Sequence, residues 1–229
     1  MTTILFQDFK ERSKEVSKYF IFLKNLEQRT IKLAMEGKGK QKIKEIDSEL
    51  IKTLKASAFL LLYNLVESTM RNAIEAIFDE LQNQGVSFDK IRPELKKIVL
   101  YNLKRRNPDK VLQKIIDISL DIITAGFDKE ELFSGNIDAR LIKDTAKKYG
   151  FSWQTDYKKT SDGSDLLTVK DNRNNLAHGI KSFAEVGKEK STDELIEIKN
   201  KVVKYLRQIL ENIEIYINNR GYLDSTNIP

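Results

Sequence analysis

DNRNNLAHG, residues 171–179, decides how the rest of the chain is read, because it sets the only histidine of 229 residues beside an arginine and a run of asparagines. At roughly 100° of rotation per helical residue, Asn174 and His178 share one stripe and Arg173 is offset from His178 by about 140°. On that spacing the Asn174 amide is placed to hydrogen-bond the imidazole. The long Arg173 side chain still reaches the same anion, so the three converge on one phosphate group. Leu176 and Ala177 are expected to face a core, and Gly179 to end or bend the helix directly after the histidine. The ordinary alternative is a core or surface histidine with its hydrogen bonds satisfied. Against it stand the polar residues that interrupt an otherwise apolar helix and the glycine that follows.

Composition narrows the class of protein. With 32% charged and 40% hydrophobic residues the chain reads as one domain, 1–229, with a substantial core. It has no cysteine, which excludes disulfides and thiolate metal sites and fits a reducing, cytoplasmic setting. The N-terminus, MTTILFQDFKERSK, meets charge too soon for a signal peptide, and the apolar run from Ala56 to Val66 is far short of the roughly 20 residues of a membrane span. Net charge is +6, and its placement is informative. Arg92, Lys96, Lys97, Lys104, Arg105, Arg106, Lys110 and Lys114 face only Glu94 and Asp109, a local excess equal to that of the whole chain. Such a segment could track a phosphate backbone, with Lys104, Arg105 and Arg106 as candidate RNA contacts; the alternative is a solvated helix face.

Apolar residues recur at helical spacing almost throughout. A first helix is predicted from Ile4 to Met35, closed by Gly37 and Gly39 in a basic GKGK turn that lacks the rest of a phosphate-binding loop. A second runs from Ser48 to Asn83 and stops at Gly85. Its row Leu60, Ile74, Leu81 is interrupted by Glu67, which either pairs with Arg71 one turn on or faces the helix bearing His178 and orients the ring. Pro93 opens a short helix to Leu103, Asp109 to Thr124 forms the next with a loop from Gly126, and Ile137 to Tyr149 another that stops at Gly150. A short hairpin near 153–157 remains open. Trp153, the sole tryptophan, is explained by core packing or, alternatively, as a platform for a nucleic-acid base. The helix bearing His178 begins near Asp165. A basic loop, Lys181 to Lys190, leads to Ser191-Thr-Asp-Glu194, a capping-box pattern, and a last helix to Asn218.

The Arg173-to-His178 spacing, R-x-x-x-x-H, resembles the signature of the HEPN (higher eukaryote and prokaryote nucleotide-binding) superfamily. NLVESTMRNAIEAIFDEL (64–81) and SGNIDARLIKDTAKKYGF (134–151) resemble segments of stand-alone prokaryotic members, in the same order. The resemblance implies an all-α, HEPN-like antiparallel helical bundle with additional helices. It also implies a homodimer in which two copies of the motif face each other as a metal-independent ribonuclease site, with Arg173, Asn174 and His178 as catalytic residues and Glu67 as a possible auxiliary. RNA, tRNA included, is the implied substrate, without cofactor, and a toxin or defence role held in check by an antitoxin or other regulatory partner is the implied setting.

Chemistry agrees with that expectation. One histidine and no cysteine disfavour a zinc site, and no tight carboxylate cluster suggests a two-metal site. RNA carries its own nucleophile, the 2′-OH, so cleavage needs only a general base, a general acid and positive charge on the transition state. One chain supplies one imidazole, so a two-histidine mechanism needs two chains. A non-catalytic module that binds RNA or a nucleotide shares every one of these features, and a helical protein-interaction module remains the alternative of another class.

Overall fold

The computed structural model describes residues 4–35, 42–105, 122–127, 129, 132–133 and 135–224. The GKGK turn, most of the helix expected over 109–124, and Arg106, Lys110 and Lys114 lie outside them. Among the described residues the fold is all-α apart from one antiparallel pair of short strands. In chain order the elements are α1 (Ile4–Glu27), β1 (Leu33–Met35), β2 (Lys42–Lys44), α2 (Ser48–Asn83), α3 (Pro93–Arg105), α4 (Ile122–Gly126), α5 (Ala139–Tyr149), α6 (Tyr157–Thr160), a 3-10 turn (Ser161–Gly163), α7 (Asp165–Ala177), α8 (Phe183–Lys188) and α9 (Thr192–Asn218). They form two compact units, one of residues 1–66 and 156–205, the other of 67–155 and 206–229.

In the first unit, α1 buries Phe9, Val16, Phe20, Leu23 and Leu26, the stripe its spacing predicts. It ends at Glu27 rather than Met35. Arg29 takes φ 57, and the amides of Arg29 and Thr30 turn back to the carbonyls of Leu26 and Asn25 at 3.1 and 3.0 Å. This is the left-handed close that glycine usually makes; with arginine in the position, composition gives no warning of it. Residues 33–35 and 42–44 then pair antiparallel, Leu33 opposite Lys44. The strand pair is therefore here, and 153–157 carries none. The first part of α2 buries Ala56, Phe59, Leu62, Tyr63 and Val66, and α9 buries Leu195, Ile198 and Val202. Ser191 caps α9 as expected: its Oγ accepts from the Glu194 amide at 3.2 Å, and its own amide donates to Glu194 Oε2 at 2.8 Å.

The second unit buries Ile74, Ile77, Leu81, Leu95, Val99, Ile142, Tyr149, Ile209 and Ile213. Pro93 is the first residue of α3, where its missing amide costs nothing. Gly126 closes α4 rather than opening a loop. The α5 N-cap is Asp138, whose carboxylate accepts from the Leu141 amide, and Gly150 ends it at φ 93. Among the described residues no helix is long and apolar enough to cross a membrane.

Candidate functional site

The helix α7 that carries DNRNNLAHG has an unusual stripe. Leu166, Val169 and Asn172 are buried, Asn172 donating from Nδ2 to the Thr168 carbonyl at 2.9 Å. Leu176 is half-buried and Ala177 exposed, so the expectation that these two face the core is corrected: the inward stripe runs through Asn172, and the last turn emerges into solvent. At the start of the helix, partial burial holds the Asp165 carboxyl above the usual carboxylate range, the Lys201 ammonium 4.0 Å away opposing it only in part.

His178 is the residue that closes the helix, with φ −96 and ψ 3. Its amide donates to Asn174 O at 3.0 Å, the Gly179 amide to Leu176 O at 3.3 Å, and the Ile180 amide to Asn175 O at 2.9 Å. With Gly179 at φ 65 this is a complete Schellman close. Its consequence is placement. The last carbonyls are satisfied by backbone, and the imidazole stands exposed, with no side-chain hydrogen bond reaching it among the described residues.

Arg173 is half-buried, its guanidinium 4.5 Å from the centroid of the Tyr63 ring, and its Nη1 donates to Asn174 Oδ1 at 2.9 Å. Asn174 thus binds the arginine rather than the imidazole, correcting the expectation that it orients the ring. Adjacent residues point about 100° apart, and a guanidinium laid back along the helix brings its fork to the neighbouring amide. Tyr63 was not singled out from sequence: it lies 110 positions upstream in the middle of an apolar helix, and nothing local marks it as an arginine's seat. A second unforeseen support is α8. The stretch read as a basic loop begins with a capping box, Ser182 Oγ accepting from the Glu185 amide at 3.2 Å and Glu185 Oε2 from the Ser182 amide at 2.8 Å. The pattern Ser-Phe-Ala-Glu was there to find.

Glu67 makes the i, i+4 pair. Arg71 Nη2 and Nε lie 2.7 and 3.2 Å from its Oε1, and Arg71 also donates to the carbonyls of Lys129 and Phe133, each at 2.6 Å. Glu67 belongs to the second unit and His178 to the first. Of the basic segment, Arg92 pairs with Glu94 at 2.9 Å and Lys96 donates to Asp89 O at 2.7 Å. Lys97, Lys104 and Arg105 are exposed, with the Arg105 guanidinium 5.6 Å from the Tyr101 ring. Lys97 and Arg105 also line a cavity of about 590 Å³, whose wall includes Lys148. Among the described residues no group of three or more histidine, cysteine or acidic side chains could hold a metal ion.

No curated protein and no solved structure matches the chain. The family model described as HEPN_MAE_28990-like HEPN matches residues 1–222. That span takes in the helix closed by His178 together with the two upstream segments that resemble stand-alone members, and the chain belongs to the HEPN family.

Proposed function

We propose that the protein is a metal-independent endoribonuclease whose site is completed by a second copy of the chain. The observation that supports it most directly is an exposed imidazole at the helix close, five residues beyond an arginine seated on Tyr63. The surface around it also suits a partner. Leu167 is 50% exposed and lies about 20° from His178 on the helical projection. Ile180 is 68% exposed and Phe183 38%, so the segment just after the imidazole also leaves apolar side chains open, which a second copy would cover.

The reaction needs two proton transfers. A neutral imidazole takes the 2′-OH proton as the 2′-oxygen attacks the adjacent phosphorus. The bond from phosphorus to the 5′-oxygen breaks, and a protonated imidazole from the other copy gives the leaving oxygen its proton. The products are a 2′,3′-cyclic phosphate and a 5′-hydroxyl. Arg173 from each copy places positive charge where the pentacoordinate phosphorus accumulates negative charge, and Asn174 holds that guanidinium in position. The test is incubation of wild type and His178→Ala with total RNA and with tRNA in EDTA, with end-group analysis. Cyclic phosphate ends from wild type and none from the variant are expected. Equal cleavage by both removes the assignment, and RNA binding without cleavage by either leaves a non-catalytic HEPN module.

A further inference from the structure

The second unit holds an arrangement that the site on α7 does not use. Along α5, Arg140, Lys143 and Lys147 recur at i, i+3 and i+7, one exposed stripe, and Asp144 is the helix's single acid. Beyond Gly150 the chain turns back and brings Trp153 over this stripe. The Lys143 and Lys147 ammonium nitrogens lie 5.5 and 5.6 Å from the centroid of the indole.

This mount is built rather than incidental. Tyr216 Oη donates to the Tyr149 carbonyl at 2.6 Å, Asn212 Nδ2 donates to the Gln154 carbonyl at 2.8 Å, and Phe151 is buried edge-on to Tyr216. Trp153 itself is half-buried, so part of it remains open to solvent. Among the described residues neither Lys143 nor Lys147 has a carboxylate partner, and both ammonium groups gather at the one indole. Two like charges gathered at one ring repel each other, and an anion entering between them relieves that repulsion.

We propose that Trp153, Lys143 and Lys147 form a contact for single-stranded RNA, with a phosphodiester held between the two ammonium groups and a base stacked on the indole. The choice of RNA as the anion rests on the ribonuclease reading above. Its chemistry fits the three side chains: stacking tolerates any base, the lysines follow the backbone, and their long stems let the ammonium groups leave the ring for the phosphate.

Trp153 is the only tryptophan, so the full-length protein reports on the contact without a label. The experiment titrates His178→Ala, which leaves the RNA intact, with a short single-stranded oligoribonucleotide and reads indole emission. Anisotropy of the same RNA, end-labelled, is followed in parallel. Saturable quenching is expected, with affinity falling roughly 5- to 150-fold in Trp153→Ala, the span of one lost base stack. Lys143→Ala/Lys147→Ala, on exposed positions that leave the fold alone, should weaken binding and flatten its salt dependence by about one to two units of slope. Trp153→Phe, which keeps a ring, should retain most of the affinity. Binding seen by anisotropy with unchanged emission and an unaffected lysine double variant overturns the contact. Equal quenching by polyglutamate also overturns it, leaving only an anion-attracting patch. Cleavage is scored separately on wild type: cyclic ends without quenching leave the nuclease and remove this contact, and quenching without cleavage does the reverse.

Discussion

Gly179 and Gly187, eight positions apart in the first unit, stand in opposite surroundings. At Gly179 nothing lies within 4 Å of where a Cβ would be, and the neighbouring imidazole stands in solvent. At Gly187, in α8, a Cβ would lie 1.9 Å from the Lys52 carbonyl oxygen of α2, and Val186 beside it is fully buried. The first glycine is required by backbone conformation and the second by the approach of another backbone. The contrast shows how an exposed imidazole is presented on a helical scaffold. The segment that anchors the helix close is locked, and the group itself is left uncovered.

If that division is right, stability and activity separate cleanly by position. The largest effect belongs to His178→Ala, expected to lower RNA cleavage by about 10²–10⁴, the usual worth of a general acid or base. Because the side chain is exposed and makes no hydrogen bond among the described residues, denaturant unfolding should move by no more than about 0.5 kcal/mol. A large loss of stability would show that the imidazole is structural and erase the contrast. Next comes Gly187→Ala, which drives a methyl into the Lys52 carbonyl. Relief requires α8 to shift bodily from α2, and overpacking of this kind costs about 1–3 kcal/mol or more. A lowered urea midpoint is expected, and an unchanged one would mean that α8 is not clamped.

Much of this division was legible in the sequence, for identifiable reasons. The bounds of α2, the start of α7, the capping box of α9 and the stop at Gly150 follow from cap chemistry and helical period, which act within a few residues. What escaped acts across the chain or through unusual residues. Arg29 closes α1 in a conformation that sequence rules assign to glycine, so helical period alone carries the helix eight residues too far. Tyr63 becomes Arg173's seat only once α2 and α7 are packed. The inward stripe of α7 passes through Asn172, a polar residue that satisfies itself on Thr168, so a hydrophobic pattern points to Leu176 and Ala177 instead. The residues proposed for chemistry were visible because they are polar where the helix should be apolar, and their supports were hidden for the opposite reason.

Between the two extremes lies Gly179→Ala. No neighbour obstructs the new methyl, so its cost is the left-handed conformation alone, about 1–2 kcal/mol. The chain can evade that cost by letting the helix close unwind, and the closing residue is His178. Cleavage should therefore fall by more than the change in stability explains, which parallel urea unfolding and cleavage rates would show. Equal, small changes in both would mean that the close does not position the ring.

The smallest effect makes the sharpest comparison, since two capping boxes of the same type lie nine residues apart. Ser182→Ala and Ser191→Ala each remove a hydroxyl that accepts from the amide three residues on, at 3.2 Å in both cases. Each should cost about 1 kcal/mol, typical of a lost N-cap. Their reach differs. Ser191 starts α9, 27 residues long and anchored by Leu195, Ile198 and Val202, so its loss frays one turn of a helix held elsewhere. Ser182 starts α8, six residues long, and lies four positions after His178. Fraying there loosens the short tether between the clamp at Gly187 and the close at Gly179. Ser182→Ala should thus reduce cleavage while Ser191→Ala leaves it near wild type, at matched loss of stability. Equal activity in the two variants would show that the clamp and the open end are independent.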